Sequence, residues 1–254
     1  MNYKQFMCFL GLFVLISCRP AKQLYRIEGN RLEINDSLSI VREIDGFIKP
    51  YREHLNASLD SVISYSADLY SKTDGELNTA IGNMMADLVY EQANPIFKSR
   101  TGKVIDMVLL NHGGIRAILP EGPITTREAF EIMPFENSIV VVEMKGSIID
   151  SMINYLRLAK RAHPINGLKL KLNPEYEVLE ATISGSPITE DKIYSVATND
   201  YLYYGGDRMN FFKLGDSLHT LNYKIRDAMI DYFSRTDTIQ PVIDDRFIIE
   251  KINK

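Results

Sequence analysis

The chain has 254 residues, of which 45% are hydrophobic and 24% are charged. This composition is typical of globular proteins and excludes a fibrous or wholly disordered chain. The 29 basic and 33 acidic residues give a formal net charge of −4, which offers no electrostatic reason to expect DNA or RNA as a partner.

The N-terminal segment has the pattern of an export signal. One early charge, Lys4, precedes an apolar run over residues 6–16. Eleven helical residues span roughly 16 Å, about half of a ~30 Å hydrocarbon core, so the run is too short to cross a membrane stably. The sequence Leu15-Ile16-Ser17-Cys18 then resembles a bacterial lipobox, which predicts a signal peptide over residues 1–17 and lipidation of Cys18. The alternative is an ordinary signal peptide with a cysteine there by chance.

The rest of the chain is predicted to be a tether followed by one domain. Residues 18–35 are charged and weakly patterned, with room for one short strand. Residues 36–254 are long enough to bury a core without a disulfide or a structural metal. Lipid on Cys18 would hold this domain at a membrane of the bacterial cell envelope, on its periplasmic or surface face.

Five helices are predicted from three- and four-residue apolar spacing. The first covers residues 36–59 and should be kinked or divided at Pro50, and the second covers 81–94 and should end at Pro95. The capping-box spacing of Thr125 and Glu128 predicts a short helix. A further helix is expected over 148–162, with its inward side formed by Ile149, Met152, Ile153, Leu156 and Leu158, and the last over 223–233.

Short β-branched or alternating runs predict the strands. They cover residues 62–67, 104–110, 139–144, 168–172, 178–184, 193–198 and 247–250. Helices and strands are interleaved, but several consecutive strands have no helix between them. The predicted fold class is therefore α+β with mixed sheets, rather than a doubly wound parallel sheet.

The sequence lacks a recognisable hydrolytic centre. The four histidines, His54, His112, His163 and His219, are scattered and lack zinc-protease spacing, and no nucleophile elbow, P-loop or dinucleotide fingerprint occurs. A two-metal phosphoesterase centre needs several converging ligands. We therefore expect no catalytic residue, metal site or cofactor in this chain.

Three loops beside predicted strands carry the groups that bind a nucleoside. The first, residues 111–116 (NHGGIR), combines paired glycines with an arginine that can grip phosphate or a ribose oxygen. The second, residues 133–137 (MPFEN), offers a flat phenylalanine ring and an amide. The third, residues 199–207 (NDYLYYGGD), offers tyrosines and a carboxylate. Taken alone, the first loop is better explained as an ordinary turn with an exposed arginine, and the second as a turn with a core phenylalanine. The third is also consistent with a polar loop whose tyrosines cover the core.

Together, these segments resemble the C-terminal domain of the 5′-nucleotidases. The three loops match its N-x-G-G-I-R, P-F-x-N and N-x-[FY]-L-x-x-G-G-D segments in order, as do Gly82-Asn83, Ile124-Thr125 and Lys145-Gly146. The resemblance extends over roughly residues 60–250.

The resemblance implies that this domain binds the nucleotide, while a separate N-terminal metallophosphatase domain hydrolyses it with divalent metal ions. It implies that the base stacks between Phe135 and Tyr201 and that Asp207 binds the ribose. The other implied contacts lie on the same three segments: Asn111, Gly113, Gly114, Arg116, Asn137, Gly205 and Gly206. The family usually has an arginine about five residues before the Gly-Asn pair, where this chain has Leu77.

Three functions follow from the resemblance. The first is the substrate-binding half of a split 5′-nucleotidase, with a separately encoded metallophosphatase as partner. The second is a lipoprotein that captures nucleosides or nucleotides without turnover. The third is an interaction lipoprotein whose site has decayed, for which Leu77 is the direct support. Base preference is left open, because aromatic stacking tolerates every base.

Overall fold

The computed structural model describes residues 2–3 and 24–250. The predicted signal peptide (residues 1–17) lies mostly outside these residues and Cys18 lies wholly outside them, so the cleavage of the peptide and the lipidation of Cys18 stay predictions. The chain divides into two units, residues 1–49 and 50–254. In the described part, no helix combines the length and the apolar character needed to cross a membrane.

In the first unit, residues 24–34 are exposed and have no regular secondary structure, so the expected short strand does not occur there. Helix α1 (Arg42–Leu59) starts in the first unit and ends in the second. It begins six residues later than predicted and is not divided at Pro50. None of its residues is buried. Its apolar spacing therefore predicts the helix correctly but does not identify a buried face.

The second unit contains the remaining regular elements of the described chain. The helices are α2 (Ala80–Thr101), α3 (Thr126–Ile132), α4 (Gly146–Ala159), α5 (Asp200–Tyr203) and α6 (Ile225–Arg235). The strands are β1 (Val62–Ser66), β2 (Met107–Leu109), β3 (Gly122–Thr125), β4 (Ser138–Lys145), β5 (Ile165–Asn166), β6 (Leu168–Leu172), β7 (Val178–Ile183), β8 (Ser186–Pro187), β9 (Ile193–Asn199), β10 (Ser217–Lys224), β11 (Thr238–Ile239) and β12 (Phe247–Ile249).

These strands form three sheets, with the orders β11-β1-β3, β10-β4-β9-β2-β5 and β12-β6-β7-β8. Each sheet combines one parallel pair with antiparallel pairs: β1 is parallel to β11, β2 to β9, and β6 to β12. The predicted α+β class with mixed sheets is therefore confirmed.

The five-stranded sheet is covered by apolar side chains on both faces. On β4, Val141 belongs to the core that also contains the apolar residues of α2 and α6, whereas Val140 and Val142 belong to the core beneath α4. A strand that is buried on both faces has no solvent-facing side, so its sequence does not alternate between apolar and polar residues. This explains the continuous IVVV run in β4.

Two expectations about helices are wrong. Helix α2 continues through Pro95 to Thr101 and ends at Gly102, whose left-handed conformation (φ 74°) caps it. Pro95 is exposed, and the buried ring of Phe97 fixes the following turn. In α4, the predicted inward residue Leu158 is 62% exposed, whereas Ile149, Met152, Ile153 and Leu156 are buried as expected.

Candidate ligand-binding site

The topology of the five-stranded sheet brings the three predicted loops to one edge. Strands β2 and β9 are parallel neighbours, so their carboxyl ends, at Leu109 and Asn199, lie at the same edge. Strand β4 is antiparallel to β9 and starts at this edge, where Ile139 pairs with Asn199. The loops that follow β2 and β9 therefore meet the loop that precedes β4.

The three loops enclose a cavity of about 240 Å³. Its seven lining residues were all predicted: Asn111, Gly113, Arg116, Phe135, Asn137, Tyr201 and Asp207. The other three predicted residues, Gly114, Gly205 and Gly206, lie in the same loops but outside this lining. The volume is somewhat below the roughly 300–1,000 Å³ of clefts that enclose drug-sized ligands, which suits a small ligand left partly exposed.

Two aromatic rings stand at this cavity. Phe135 is 40% exposed and Tyr201 is 45% exposed. Within residues 24–250, neither ring packs against another aromatic side chain. The guanidinium carbon of Arg116 lies 5.8 Å from the centre of the Phe135 ring, within the range of a cation–π contact. Half-exposed rings of this kind offer flat faces on which a planar ligand can stack.

The carboxylate of Asp207 is held by two neighbours. Asn111 Nδ2 donates to Oδ2 at 2.8 Å, and the Tyr201 hydroxyl donates to Oδ1 at 3.0 Å. An ionised carboxylate has about four acceptor positions, so two are left for ligand hydroxyls. The backbone of Asp207 is left-handed (φ 49°), a conformation that aspartate tolerates better than most residues. The site therefore has a fixed acceptor beside its aromatic faces.

The glycine pair in the third loop is required by close packing. A Cβ atom on Gly206 would lie 2.4 Å from Cε1 of Tyr201, so any side chain there would displace the ring. Gly205 has a left-handed φ of 93°, and a Cβ there would meet Asn210 at 2.7 Å. These two positions explain why the sequence reads Gly-Gly before Asp207.

The loop that carries Phe135 is fixed by the start of α6. Glu136 is hydrogen-bonded to Arg226 and Lys224, and these bonds lower the pKa of its carboxyl to about 2. The backbone N–H of Ile225 donates to the Asn137 carbonyl at 3.0 Å. The carbonyl of Pro134 also accepts from Arg226, at 3.3 Å. The ring of Phe135 is thus presented by a loop that is held at three points.

A second cation stands beside Arg116, and the sequence analysis missed it. Lys72 Nζ donates to the carbonyl of Ile115 at 2.7 Å. Burial and the charge of Arg116 lower the pKa of Lys72. Leu77, at the position of the family's arginine, is 2% exposed and belongs to the apolar core. No sequence motif marked Lys72, because it lies about forty residues before Arg116 and only the fold brings the two together.

The described residues hold no cluster of three or more His, Cys, Asp or Glu side chains that could hold a metal ion. The chemistry at this edge of the sheet is that of ligand binding: aromatic faces, a guanidinium, amides and one carboxylate acceptor.

Comparison with known proteins identifies a matching family model and several related proteins. Residues 57–214 match the family model of the 5′-nucleotidase C-terminal domain. A cell wall protein of Listeria monocytogenes is 31% identical over 185 residues, which cover 67% of this chain and 23% of that protein. A trifunctional nucleotide phosphoesterase of Bacillus subtilis is 30% identical over 165 residues, 58% of this chain and 11% of that protein.

Among solved structures, the 5′-nucleotidase precursor of Thermus thermophilus superposes with a TM-score of 0.68 at 20% identity, covering 84% of this chain and 44% of that one. The chain thus spans less than half of each of these proteins. The family model, by contrast, covers more than half of this chain. The chain belongs to the 5′-nucleotidase C-terminal domain family.

Proposed function

We propose that this chain is the nucleotide-binding half of a split bacterial 5′-nucleotidase, which holds a nucleoside 5′-phosphate for hydrolysis by a metallophosphatase supplied in trans. The observation that supports this most directly is the cavity of about 240 Å³, whose seven lining residues match the family's ligand segments. In this proposal the base stacks between Phe135 and Tyr201. Asp207 accepts hydrogen bonds from the ribose hydroxyls.

The 5′-phosphate is proposed to lie near Arg116. A guanidinium can form a bidentate pair with phosphate, and Lys72 adds a second positive charge beside it. Lys72 would then supply the charge that the family's arginine supplies and Leu77 does not. An approaching phosphate would also offset the charge of Arg116, which adds to burial in lowering the pKa of Lys72.

Hydrolysis in this proposal is the task of the partner. Cleavage of the phosphate ester by a two-metal centre needs a metal-activated water placed for in-line attack. Because no suitable cluster occurs among the described residues, the two metal ions would be bound by the partner metallophosphatase. This chain binds the base and the ribose and thereby positions the phosphate.

We further propose that the protein is attached to the bacterial cell envelope through lipid on Cys18, with a signal peptide over residues 1–17, a tether over 18–35 and the domain over 36–254. The lipobox-like sequence and the kinship with a Listeria monocytogenes cell wall protein support this location. The alternative function is a lipoprotein that captures nucleosides or nucleotides without hydrolysis, which the same cavity supports.

Titration calorimetry with adenosine and 5′-AMP tests the binding site. Phe135→Ala should weaken adenosine binding between about fivefold and 150-fold, because base stacking on an aromatic ring contributes about 1–3 kcal/mol. The matched control is Phe130→Ala, since Phe130 is also 40% exposed but contacts Arg226 and does not line the cavity. Equal affinities for the wild type and the Phe135 variant would refute the proposed base platform.

A further inference from the structure

A second cleft, of about 770 Å³, adjoins the first cavity. The two share Gly113 and Asp207, which line both. Apart from these and His112, the second cleft is lined by residues that no sequence motif marked, among them Tyr155, Leu158, Arg161, His163, Arg208 and Phe211. A ligand held in the first cavity at Asp207 can therefore extend into this cleft.

The cleft contains a buried donor without a hydrogen bond of good geometry. His163 is 4% exposed, and its Nδ1 accepts from the backbone N–H of His112 at 3.3 Å, which places the ring proton on Nε2. In the described part of the chain, Nε2 makes no hydrogen bond of good geometry, although the Leu110 carbonyl is near enough to raise the pKa of the ring. Burial lowers the pKa of His163 to about 4, so this N–H is a neutral donor at neutral pH. An unsatisfied buried donor is unfavourable, and an acceptor atom of a ligand would satisfy it.

Two guanidinium groups line the same cleft. Arg161 and Arg208 are both exposed, and neither lies within ion-pair distance of a carboxylate among residues 24–250. The acidic side chain in the lining, Asp207, is already hydrogen-bonded to Asn111 and Tyr201. The positive groups of the cleft are thus available to an anion, and guanidinium groups bind phosphate oxygens well.

Two consecutive residues that line the cleft have an unfavourable backbone conformation. Asp207 and Arg208 are consecutive residues with left-handed φ values of 49° and 63°. The left-handed conformation is unfavourable for ordinary side chains. The hydroxyl of Tyr155, on α4, donates to the Asp207 carbonyl at 2.9 Å and fixes this turn. Strained residues held in place by their surroundings are frequent at binding sites.

Part of the lining of the cleft is apolar. Leu158 is 62% exposed at the end of α4, and the Tyr155 ring lies between His163 and Phe211, with ring centres 5.6 Å and 5.7 Å away. A cleft lined by cations, a neutral donor and apolar surface suits a phosphate ester better than a free inorganic anion.

We propose that this cleft binds a phosphate carried on the 3′ oxygen of the ribose, so that the chain itself recognises nucleosides phosphorylated at that position. The inference rests on the proposed function, which places the ribose hydroxyls at Asp207. A group attached to one of these oxygens lies where the two cavities meet. Arg161 and Arg208 then face the phosphate charge, and His163 Nε2–H donates to one of its oxygens.

The test is calorimetry of the full chain with adenosine, 3′-AMP and 5′-AMP. We expect 3′-AMP to bind at least about tenfold more tightly than adenosine, as charge-assisted hydrogen bonds allow. The double variant Arg161→Gln/Arg208→Gln should abolish this advantage and leave adenosine affinity unchanged. The control Lys160→Gln removes a charge one residue away, whose ammonium lies 3.8 Å from the Tyr176 ring centre, and should behave as the wild type.

The outcomes separate the two proposals. Adenosine binding without any advantage for 3′-AMP, or an advantage that survives the double variant, overturns the second subsite and leaves the base site standing. A 5′-AMP advantage that is lost in the double variant would assign the cleft to the 5′-phosphate and also overturn the inference. Absence of adenosine binding to the wild type refutes the proposed function itself.

Discussion

Asp207 lies where the two cavities meet, and its environment determines what it can bind. Asn111 occupies one acceptor position on Oδ2, and Tyr201 occupies one on Oδ1. The left-handed backbone of Asp207 places its side chain between the two cavities. A carboxylate bound in this way acts as an acceptor of fixed direction. Its proposed role toward the ribose can therefore be tested with ligands that lack the hydroxyl groups.

Asp207→Asn should weaken adenosine binding by about tenfold or more, because hydrogen bonds to a charged group contribute about 1.5–3 kcal/mol. Asparagine also tolerates the left-handed conformation, so the turn should be retained. The measurement is calorimetry with adenosine and with 2′,3′-dideoxyadenosine. The substitution should change the affinity for the dideoxy ligand little. An equal loss for both ligands would contradict a contact with the ribose hydroxyls.

His163 makes stability dependent on pH. Burial is the main reason that its pKa falls to about 4, with the charges of Arg161 and the polar His112 ring adding to the effect and the Leu110 carbonyl and Asp207 opposing it. In the unfolded chain the imidazole titrates near 6.5. Between these values the unfolded state binds the proton and the folded state does not, so stability falls as the pH drops from about 6.5 towards 4.

The wild type should therefore lose about 2 kcal/mol more than His163→Gln in its free energy of unfolding between pH 7.5 and pH 5. Urea denaturation at the two pH values measures this difference. His54→Gln removes an exposed imidazole from α1 and should keep the pH dependence of the wild type. Identical pH dependence in the wild type and the His163 variant would mean that this imidazole binds its proton equally well in the folded and the unfolded state.

At the scale of elements, α2 contains an internal proline that the fold tolerates. Pro95 lacks the N–H that would bond to the carbonyl of Glu91, yet the helix continues to Thr101 because Phe97 is fully buried and Gly102 caps the end. The proline costs roughly 3 kcal/mol relative to alanine in a helix interior, partly offset by its restriction of the unfolded chain.

Pro95→Ala should raise the free energy of unfolding by about 2 kcal/mol, since the missing hydrogen bond can form and the exposed position needs no repacking. Urea denaturation measures the gain, and circular dichroism should show no loss of helix. A decrease in stability would show that α2 depends on the geometry that the proline imposes.

The elements that sequence reasoning predicted are those with strong local signals. The Thr125–Glu128 capping box forms as expected, with Glu128 accepting from the backbone N–H of Thr125 at 2.7 Å. The alternating residues 168–172 form β6 with alternating burial. The two-residue strands β5 and β11 carry no periodicity, so only their partners define them. Strand β10 was missed because its register shifts between Thr220 and Lys224, where Asn222 has a left-handed φ of 54°.

The first cavity could be predicted and the second could not. The lining of the first comes from three short segments, each with an informative order of residues such as Asn-x-Gly-Gly. Much of the lining of the second comes from α4 and the residues after it, where helical periodicity misassigned Leu158 to the core. The rest comes from residues 112–113 and 207–211. Cations such as Lys72 and Arg161 are common surface residues. Their significance depends on neighbours that are distant in the sequence.

At the scale of the whole protein, the sheet that carries the loops is packed on both faces, so the ligand-binding edge rests on a rigid support. Rigid presentation of the nucleotide, however, does not cleave a phosphate ester. In the proposed function, hydrolysis is the task of a second protein, whereas capture of the ligand needs this chain alone. The two functions therefore differ in the expected effect of adding a metallophosphatase.

We expect AMP hydrolysis by a metallophosphatase encoded in the adjacent gene to increase when the wild-type chain is added. The increase should be reduced with Phe135→Ala and retained with Phe130→Ala, because only the former removes the proposed base platform. A chelator should abolish the hydrolysis, since the metal ions supply the activated water. It should leave adenosine binding by this chain unchanged, because the described residues contain no metal cluster. No increase above the metallophosphatase alone, together with intact adenosine binding, would favour the lipoprotein that captures nucleosides without turnover.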